Sequence, residues 1–424
     1  MLPTPPLKVK MLSAADLKGG AGIAAYRLQL GLERIGVESE LFVRDRRSRH
    51  PTVIGPHSWL CRLFGRLHPY LDPVPKLAYF KRHRGAWSCG FLPNPCLPLK
   101  QLRSADVVHL HWVGGGLLPV RALRQLHRPI VWTLHDSWPF TGGCHIPYDC
   151  QGFQLRCGNC PQLASLRERD LSRLIWLHKF RHWQDLRMTI VAPSRWLASL
   201  AATSTLLMDC PIEVIPNGLD LEVFTPLDKA QARQQLGLPP NARMILFSAV
   251  AGVANWNKGG DLLREALHIL AGRGGTGKYL LLLTGAGTPP AADYFPVPVI
   301  NLGVIDDPQR QSLIYSAADI TAVPSRSESL GYVAMESMAC GTPCVGFRVG
   351  GLPDLVDHLD TGYLAVAASV NDLAAGISWL FEDGPRRQAM AVRAHAKIEA
   401  NYGHAAVARR YLELYQRALE QWHA

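Results

Sequence analysis

Two series of apolar runs divide the chain. In the first, LKVKMLSA (7–14), VESELFV (37–43), ADVVHLHWV (105–113), PIVWTLHD (129–136) and MTIVAPS (188–194) are short and apolar, with many β-branched residues. That is the pattern of buried strands. Between the first two, KGGAG (18–22) breaks the run, and Ile23, Tyr26, Leu30 and Leu32 follow at near-helical spacing before Gly36 ends the segment. Strand, glycine turn, helix and strand make a βαβ unit, which needs a parallel sheet. Near Pro211 the pattern changes. The stretch 212–228 carries Pro216, Asn217, Gly218 and Pro226, the residues of turns and linkers. A second series then begins, with strands in RMILFSAV (243–250), KYLLLLTGAG (278–287), PVPVINLG (296–303), ITAVPS (320–325) and TPCVGFRVGG (342–351). NKGGDLLREALHIL (257–270) reads as a capped helix among them.

The expected fold is α/β, two doubly wound Rossmann-like domains facing a central cleft that holds the site. The first domain is expected over 1–210, a hinge over 211–228, the second domain over 229–400, and over 401–424 a helix crossing back to the first domain. A length of 424 residues suits two such cores, and 48% hydrophobic residues exclude a disordered chain. Apolar runs fall short of a bilayer span, and MLPTPPLKVKMLS has no run of the signal-peptide kind, so a cytoplasmic protein is expected.

Charge adds an asymmetry. Residues 1–210 hold 28 Lys+Arg against 13 Asp+Glu, net +15, and residues 211–424 hold 17 against 21, net −4. The excess is dense in RDRRSRH (44–50), CRLFGRLHPY (61–70) and YFKRHRGAW (79–87), where cations alternate with aromatic and aliphatic residues. Such mixtures suit the anionic inner face of the cytoplasmic membrane. No RNA-binding signature accompanies them, so nucleic acid is not an expected partner. KGGAG is not G-x-G-x-x-G and no Walker sequence occurs, which leaves dehydrogenase and P-loop ATPase readings without support.

SESLGYVAMESMACGTP (327–343) is the most informative stretch. Glu328 falls in the loop at the carboxyl end of a strand, the edge that faces the ligand crevice in open α/β sheets. A helix is expected from about Leu330-Gly331 to Ala339, closed by Cys340-Gly341 ahead of Pro343. Its first amides suit a diphosphate, and Glu336 lies roughly 7–8 Å farther along the axis. Two carboxylates that bracket a phosphate pocket suit a nucleotide sugar, with its central diphosphate and hydroxyl-rich rings. The plainer alternative makes Glu328 a helix cap and Glu336 a solvated surface residue.

Glu328 and Glu336 followed by ACGTP, with AAD (317–319) and PS (324–325) before them, resemble the C-terminal signature of retaining family 4 glycosyltransferases of GT-B fold. VAPSRWLA (191–198), VIPNGLD with Phe224, NKG (257–259) and GGLPD with DTGYL (350–364) resemble the same family, in its order. The resemblance implies retaining transfer of a hexosyl group from a nucleotide sugar, with no catalytic metal. It implies that Glu328 binds donor-sugar hydroxyls, Glu336 the ribose, and the Ser329-Leu330-Gly331 backbone the sugar and diphosphate. Lys258 would neutralise the leaving diphosphate, and Val304 and Ile305 would meet the base. Gly20 and Gly22 would line the phosphate and acceptor side, and His135 would stand near the anomeric centre. One of His109 and His111 is expected to face the cleft and the other to pack. Gly252 stands where many relatives carry a second diphosphate cation, so Asn255, Asn257 or Arg326 would have to compensate.

Cys144, Cys150, Cys157 and Cys160 crowd one short insert. A structural zinc, with His145 as a spare ligand, reduced thiols that only pack, and a disulfide or redox pair are the three readings. The wider segment from Trp132 to Leu163 resembles a subgroup that builds bacterial exopolysaccharides. A saccharide or lipid-linked saccharide acceptor, used in exopolysaccharide or cell-envelope synthesis, is the expectation. A nucleotide-sugar epimerase and an inactive nucleotide-sugar-binding protein are the rival readings.

Overall fold

The structure, a computed structural model, describes residues 7–83, 85–250, 252–275, 278–285, 291 and 293–423. Ala286 and Gly287, which close the glycine stretch after the LLLLT run, lie outside the described residues. The chain forms two compact units, Met1–Gly218 with His404–Ala424, and Leu219–Gly403.

The first unit is built on a seven-stranded parallel sheet. Its strands are β1 (Lys8–Ala15), β2 (Glu38–Asp45), β3 (Val53–Ile54), β4 (Val107–Leu110), β5 (Ile130–Thr133), β6 (Met188–Ala192) and β7 (Ile212–Val214). Their spatial order is β3-β2-β1-β4-β5-β6-β7. Successive residues of each strand feed opposite faces. Val9, Met11, Val107, Val131 and Val191 pack under the Gly19–Arg34 and His404–His423 helices. Leu12, Val108, Leu110, Trp132 and Ile190 join Trp138, Trp176 and Trp183 on the other side. Burial on both faces is why these strands read as continuous apolar runs.

The two helices meet closely at Gly31, where an added Cβ would lie 2.8 Å from the His404 carbonyl oxygen. The structure also moves two expected boundaries. Residues 212–214 are a strand paired with β6 rather than a hinge, because Ile212 and Val214 continue the parallel ladder beyond Pro211. The units instead divide at Gly218/Leu219, where Leu219 and Phe224 enter the second core. The returning helix starts at His404, after a helix over Gly384–Tyr402 that belongs to the second unit.

The second unit holds a six-stranded parallel sheet of β8 (Arg243–Ser248), β9 (Tyr279–Thr284), β10 (Val299–Asn301), β11 (Ile320–Val323), β12 (Cys344–Phe347) and β13 (Gly362–Ala365). Its order is β10-β9-β8-β11-β12-β13. Each sheet therefore reverses its winding once, at β1/β4 and at β8/β11. Ligand crevices open beyond the carboxyl ends of strands at such points.

Candidate active site

Beyond β8 and β11 two loops are forced together by glycines. Gly259 has φ +69°, and a Cβ there would sit 1.9 Å from the Pro324 carbonyl oxygen. Gly350 has φ +55°, and its Cβ would fall 2.0 Å from the Glu328 carbonyl oxygen, while the Gly351 amide donates to that oxygen at 2.9 Å. Only glycine tolerates both the conformation and the approach. The NKG and GGLPD motifs thus clamp the Glu328 loop from two sides. Within the clamp Lys258 Nζ donates to Glu328 Oε1 at 2.6 Å, and Ser325 Oγ donates to the same oxygen at 2.7 Å. The glutamate side chain is 11% exposed and the lysine 26%. This is a charge-assisted pair open on one side to a ligand.

Gly331, at φ +109°, starts the helix Tyr332–Ala339, and no side chain caps its first amides. A Cβ at Gly331 would press Leu352 Cδ2 at 2.8 Å. The side chain of Leu330 is in the core, so only its backbone is available there. Glu336 is 4% exposed, which removes the solvated-surface reading. Its Oε2 accepts from Tyr315 Oη at 3.0 Å and Gln311 Nε2 at 3.2 Å, both from the Pro308–Ala317 helix. Burial and the adjacent carboxylate push the Tyr315 hydroxyl well above its ordinary pKa, so it stays a donor. Val304, 59% exposed, and Ile305 precede that same helix.

Of the compensating cations expected for Gly252, Arg326 is already engaged. It pairs with Asp261 in a fork at 2.9 and 2.6 Å and lies 4.4 Å from the Trp256 ring. Asn257 Nδ2 donates to the Ser327 carbonyl at 2.9 Å and Asn255 Nδ2 to the Val250 carbonyl at 3.2 Å. Both side chains brace loops. Asp319 of the AAD stretch is structural too, accepting from Lys229, Arg233 and the Met244 amide.

In the first unit KGGAG is not a loop but the first turn of the helix that starts at Gly19. Gly20 is exposed there, whereas Gly22 is buried with its Cβ position 2.9 Å from the Ala15 carbonyl oxygen. Gly22 therefore packs the helix closely onto the end of β1.

Three histidines gather on this sheet, His109 within β4 and His111 and His135 just past the ends of β4 and β5. His109 is fixed at both ring nitrogens, by Tyr415 Oη at 2.7 Å and Thr133 Oγ1 at 2.8 Å. His111 Nδ1 lies 3.0 Å from His135 Nε2. Burial pushes His135 down to about 4 and His109 down to about 3, so both imidazoles are neutral at physiological pH.

Sequence reasoning missed the next layer. Asp136 accepts from Trp112 Nε1 and pairs with His145 Nδ1, each at 2.5 Å, and His145 Nε2 meets Ser88 Oγ at 2.9 Å. Burial raises the Asp136 carboxyl, but His145 and the donated hydrogen bonds outweigh it and leave it below its ordinary value. With both nitrogens occupied, His145 is no spare metal ligand. A cavity of about 480 Å³ opens beside this network, lined by Trp112, His145, Trp87, Lys76 and Arg82. The HD pair at 135–136 was the sequence signal for it; the separation of Ser88 from His145 concealed the rest.

Two parallel sheets, each with its crevice residues beyond a winding reversal, define a protein of two Rossmann-like α/β domains. Residues 18–223 match glycosyltransferase family 4 and residues 228–397 match glycosyl transferases group 1. The chain belongs to this family of GT-B glycosyltransferases. It is 34% identical to the D-inositol 3-phosphate glycosyltransferase of Thermobispora bispora, over 96% of this chain and 91% of that protein. A protein of the same name from a Mycobacterium strain is 29% identical over 89% of this chain and 81% of its own length. These names are not those of the exopolysaccharide subgroup.

Two solved structures share the fold. Sucrose-phosphate synthase from Thermosynechococcus elongatus superposes with a TM-score of 0.68 at 21% identity, covering 98% of this chain and 100% of that one. The Anabaena HepE protein in complex with UDP and glucose gives 0.65 at 18% identity, over 97% and 100%.

Proposed function

We propose that this glycosyltransferase moves a hexosyl group, with retention of configuration, from a UDP- or GDP-sugar to a hydroxyl of a lipid-linked or polysaccharide acceptor in exopolysaccharide or cell-envelope synthesis. The observation that carries the donor half is the Lys258–Glu328 pair at 2.6 Å beyond β8 and β11, beside the uncapped helix of Gly331. The helix amides and Lys258 would take the diphosphate, and Glu328 would turn its carboxylate to sugar hydroxyls once the ammonium has a phosphate partner. Glu336, held by Tyr315, would accept from the ribose, and the backbone at Val304-Ile305 would meet the base. His135, neutral, would offer the transferred sugar a hydrogen bond without adding charge. The acceptor oxygen attacks the anomeric carbon on the face that the diphosphate leaves, and the departing phosphate oxygen takes the proton. No bound metal is part of this reading.

Support for a membrane-borne acceptor comes from the helix Trp59–Leu71. Trp59, Leu60, Leu63, Leu67 and Tyr70 are 46–78% exposed, and Arg62 and Arg66 lie among them. Apolar and basic residues exposed on one helix suit an anionic bilayer surface. Among the described residues no helix is long and apolar enough to cross a membrane, so attachment would be peripheral, at the inner face. A second reading takes its cue from the relatives' names and from Lys76 and Arg82 in the 480 Å³ cavity: a small phosphorylated polyol such as inositol 3-phosphate as acceptor.

A transfer assay with radiolabelled UDP- and GDP-sugars decides between them. One arm offers lipid-linked saccharides in anionic vesicles, the other inositol 3-phosphate. Label in the lipid fraction supports the first reading, and label on the inositol phosphate alone replaces it with the second. Donor consumption with epimerised sugar and no transfer would overturn both.

A further inference from the structure

The insert between Thr141 and Ser172 carries a feature the transfer chemistry does not use. Cys144, Cys150, Cys157 and Cys160 all line one small cavity of about 20 Å³, and all four are free thiols. Every pair among the four sulfurs lies within electrostatic reach. Among the described residues no three His, Cys, Asp or Glu side chains are already drawn together as for a metal ion. Closing the sulfurs on a centre therefore takes side-chain rotation into that cavity.

Three observations say what the cavity suits. First, glycine backbone packs directly on the cysteines: a Cβ at Gly142 would lie 3.0 Å from Cys157 Cβ, and one at Gly152 would lie 3.5 Å from Cys150 Sγ. Backbone this close leaves the two side chains seated against the cavity wall. Second, the C-x2-C turn is held open by left-handed backbone at Cys157 (φ 54°), Gly158 (φ 97°) and Asn159 (φ 46°). Gly158 has no room for a Cβ, which would sit 2.2 Å from the Glu168 carbonyl oxygen. A turn held this way against its own preference marks a site that is over-determined by its surroundings.

Third, two buried ammonium groups stand within electrostatic reach of the cysteines without a carboxylate partner. Lys179, fully buried, donates to the Trp138 carbonyl and to the Thr141 carbonyl at 2.9 Å, and its Nζ lies 4.0 Å from the Trp138 ring centre. Lys76 donates to the Gly85 carbonyl at 2.8 Å and lies 5.3 Å from the Trp87 ring. Neither makes an ion pair among the described residues. Asp136 and Asp72 also lie within electrostatic reach of Lys179 but neither forms an ion pair with it, and thiolates in the adjoining cavity would add the opposite charge that buried cations call for.

We propose that Cys144, Cys150, Cys157 and Cys160 bind a structural zinc ion as a tetrathiolate, with Lys76 and Lys179 as its buried counter-charges. Binding is balanced by the loss of four protons: one divalent ion and four thiols give a centre of charge −2, which the two ammonium groups neutralise. Four sulfur ligands in a closed pocket select zinc among the common divalent ions and leave no open position for catalysis. The centre would pin the insert that carries His145 and the wall of the 480 Å³ cavity.

The test measures metal on the full chain, expressed in zinc-supplemented medium and purified under reducing conditions without a metal-affinity tag. About one zinc per chain is expected, and after exchange into cobalt, intense thiolate-to-cobalt absorption with tetrahedral ligand-field bands. Cys157→Ser with Cys160→Ser should lose the metal. Should that variant fail to fold, Cys150→Ser alone and cobalt titration of the chelator-stripped wild type read the same site. Less than about a tenth of a zinc per chain, with the four thiols alkylated in the native protein or joined as disulfides, overturns the proposal. Undiminished zinc in the folded serine variants also overturns it.

Discussion

His111 and His135 end neighbouring strands and meet through Nδ1 and Nε2 at 3.0 Å, a contact in which one ring must donate and the other accept. The second nitrogen of His111, Nε2, is buried with no hydrogen-bond partner among the described residues. An orphaned acceptor costs less than an orphaned N–H. The proton therefore belongs on His111 Nδ1, so His135 accepts at Nε2 and carries its own proton on Nδ1. His111 sets the tautomer of His135. Replacing His111 by Phe should lower turnover roughly 10- to 100-fold with nucleotide affinity within about twofold, and Asn, which can still donate, should recover part of the loss. Steady-state kinetics beside nucleotide titration read the difference; an equal fall in affinity would sink the tautomer argument.

The same histidines make the first unit acid-sensitive. Burial depresses their folded pKa, to about 4 for His135 and about 3 for His109, while the unfolded value stays near 6.5. Below pH 6.5 the unfolded chain binds more protons, so stability is fully present above that pH and is lost as pH falls towards the folded values. At pH 5 the loss is about 2 kcal/mol for each such histidine. Denaturant midpoints at pH 7.5 and 5 should show this, and His109→Gln should flatten the slope.

The two glutamates should separate kinetically. Glu336→Gln keeps a partner for Tyr315 and is expected to weaken free nucleotide and nucleotide sugar alike by about tenfold. Glu328→Gln should leave free nucleotide bound as before and depress turnover by about 10² or more. Calorimetry with UDP and GDP beside transfer rates checks the pair. Equal losses of free nucleotide in both variants would show that the roles are misassigned.

Two glycines with nearly equal φ offer a sharper structural contrast. Gly259→Ala places a Cβ 1.9 Å from the Pro324 carbonyl oxygen, whereas Gly237, at φ +65°, has nothing within 4 Å of its Cβ position. Gly237→Ala should cost about 1 kcal/mol of stability, the backbone term alone. Gly259→Ala should cost more than about 3 kcal/mol and abolish transfer, because Lys258 can no longer reach Glu328. Thermal unfolding of both variants gives the comparison.

On the surface, Leu63→Glu with Leu67→Glu changes side chains 46% exposed and should leave stability within about 0.5 kcal/mol. Flotation with anionic vesicles should fall sharply in that variant and with salt. Unchanged flotation would detach the helix Trp59–Leu71 from any membrane role.

Much of this was legible because local pattern and tertiary need agree. Strands buried on both faces announce themselves as apolar runs, and Gly331 ahead of the helix Tyr332–Ala339 and Gly341 and Pro343 after it mark where the structure begins and ends it. The glutamates and Lys258 were readable as motifs, although their direct contact was not. What stayed hidden depends on long separations: the bond of His109 to Tyr415, Ser88 against His145, and the disulfide Cys61–Cys96, 35 residues apart. Arg326 looked available as a phosphate cation because nothing in its own segment shows Asp261 facing it. Ile212–Val214 was obscured by the proline and glycine that follow, although parallel edge strands this short are common at a sheet margin.

The return of His404–His423 to the first unit has a consequence for how the polypeptide is made. Tyr411 and Tyr415 complete one face of the first sheet, donating or accepting at Thr133 and His109, so part of that face stays uncovered until residues 404–423 leave the ribosome. Leu219–Gly403 can fold earlier, as an inserted module whose ends are already tied together by the Leu219 amide on the Tyr402 carbonyl at 2.8 Å. Vectorial synthesis would thus mature the second unit first, and a nascent chain stalled before residue 404 would present the apolar patch of Val9, Met11, Val107 and Val131 to chaperones.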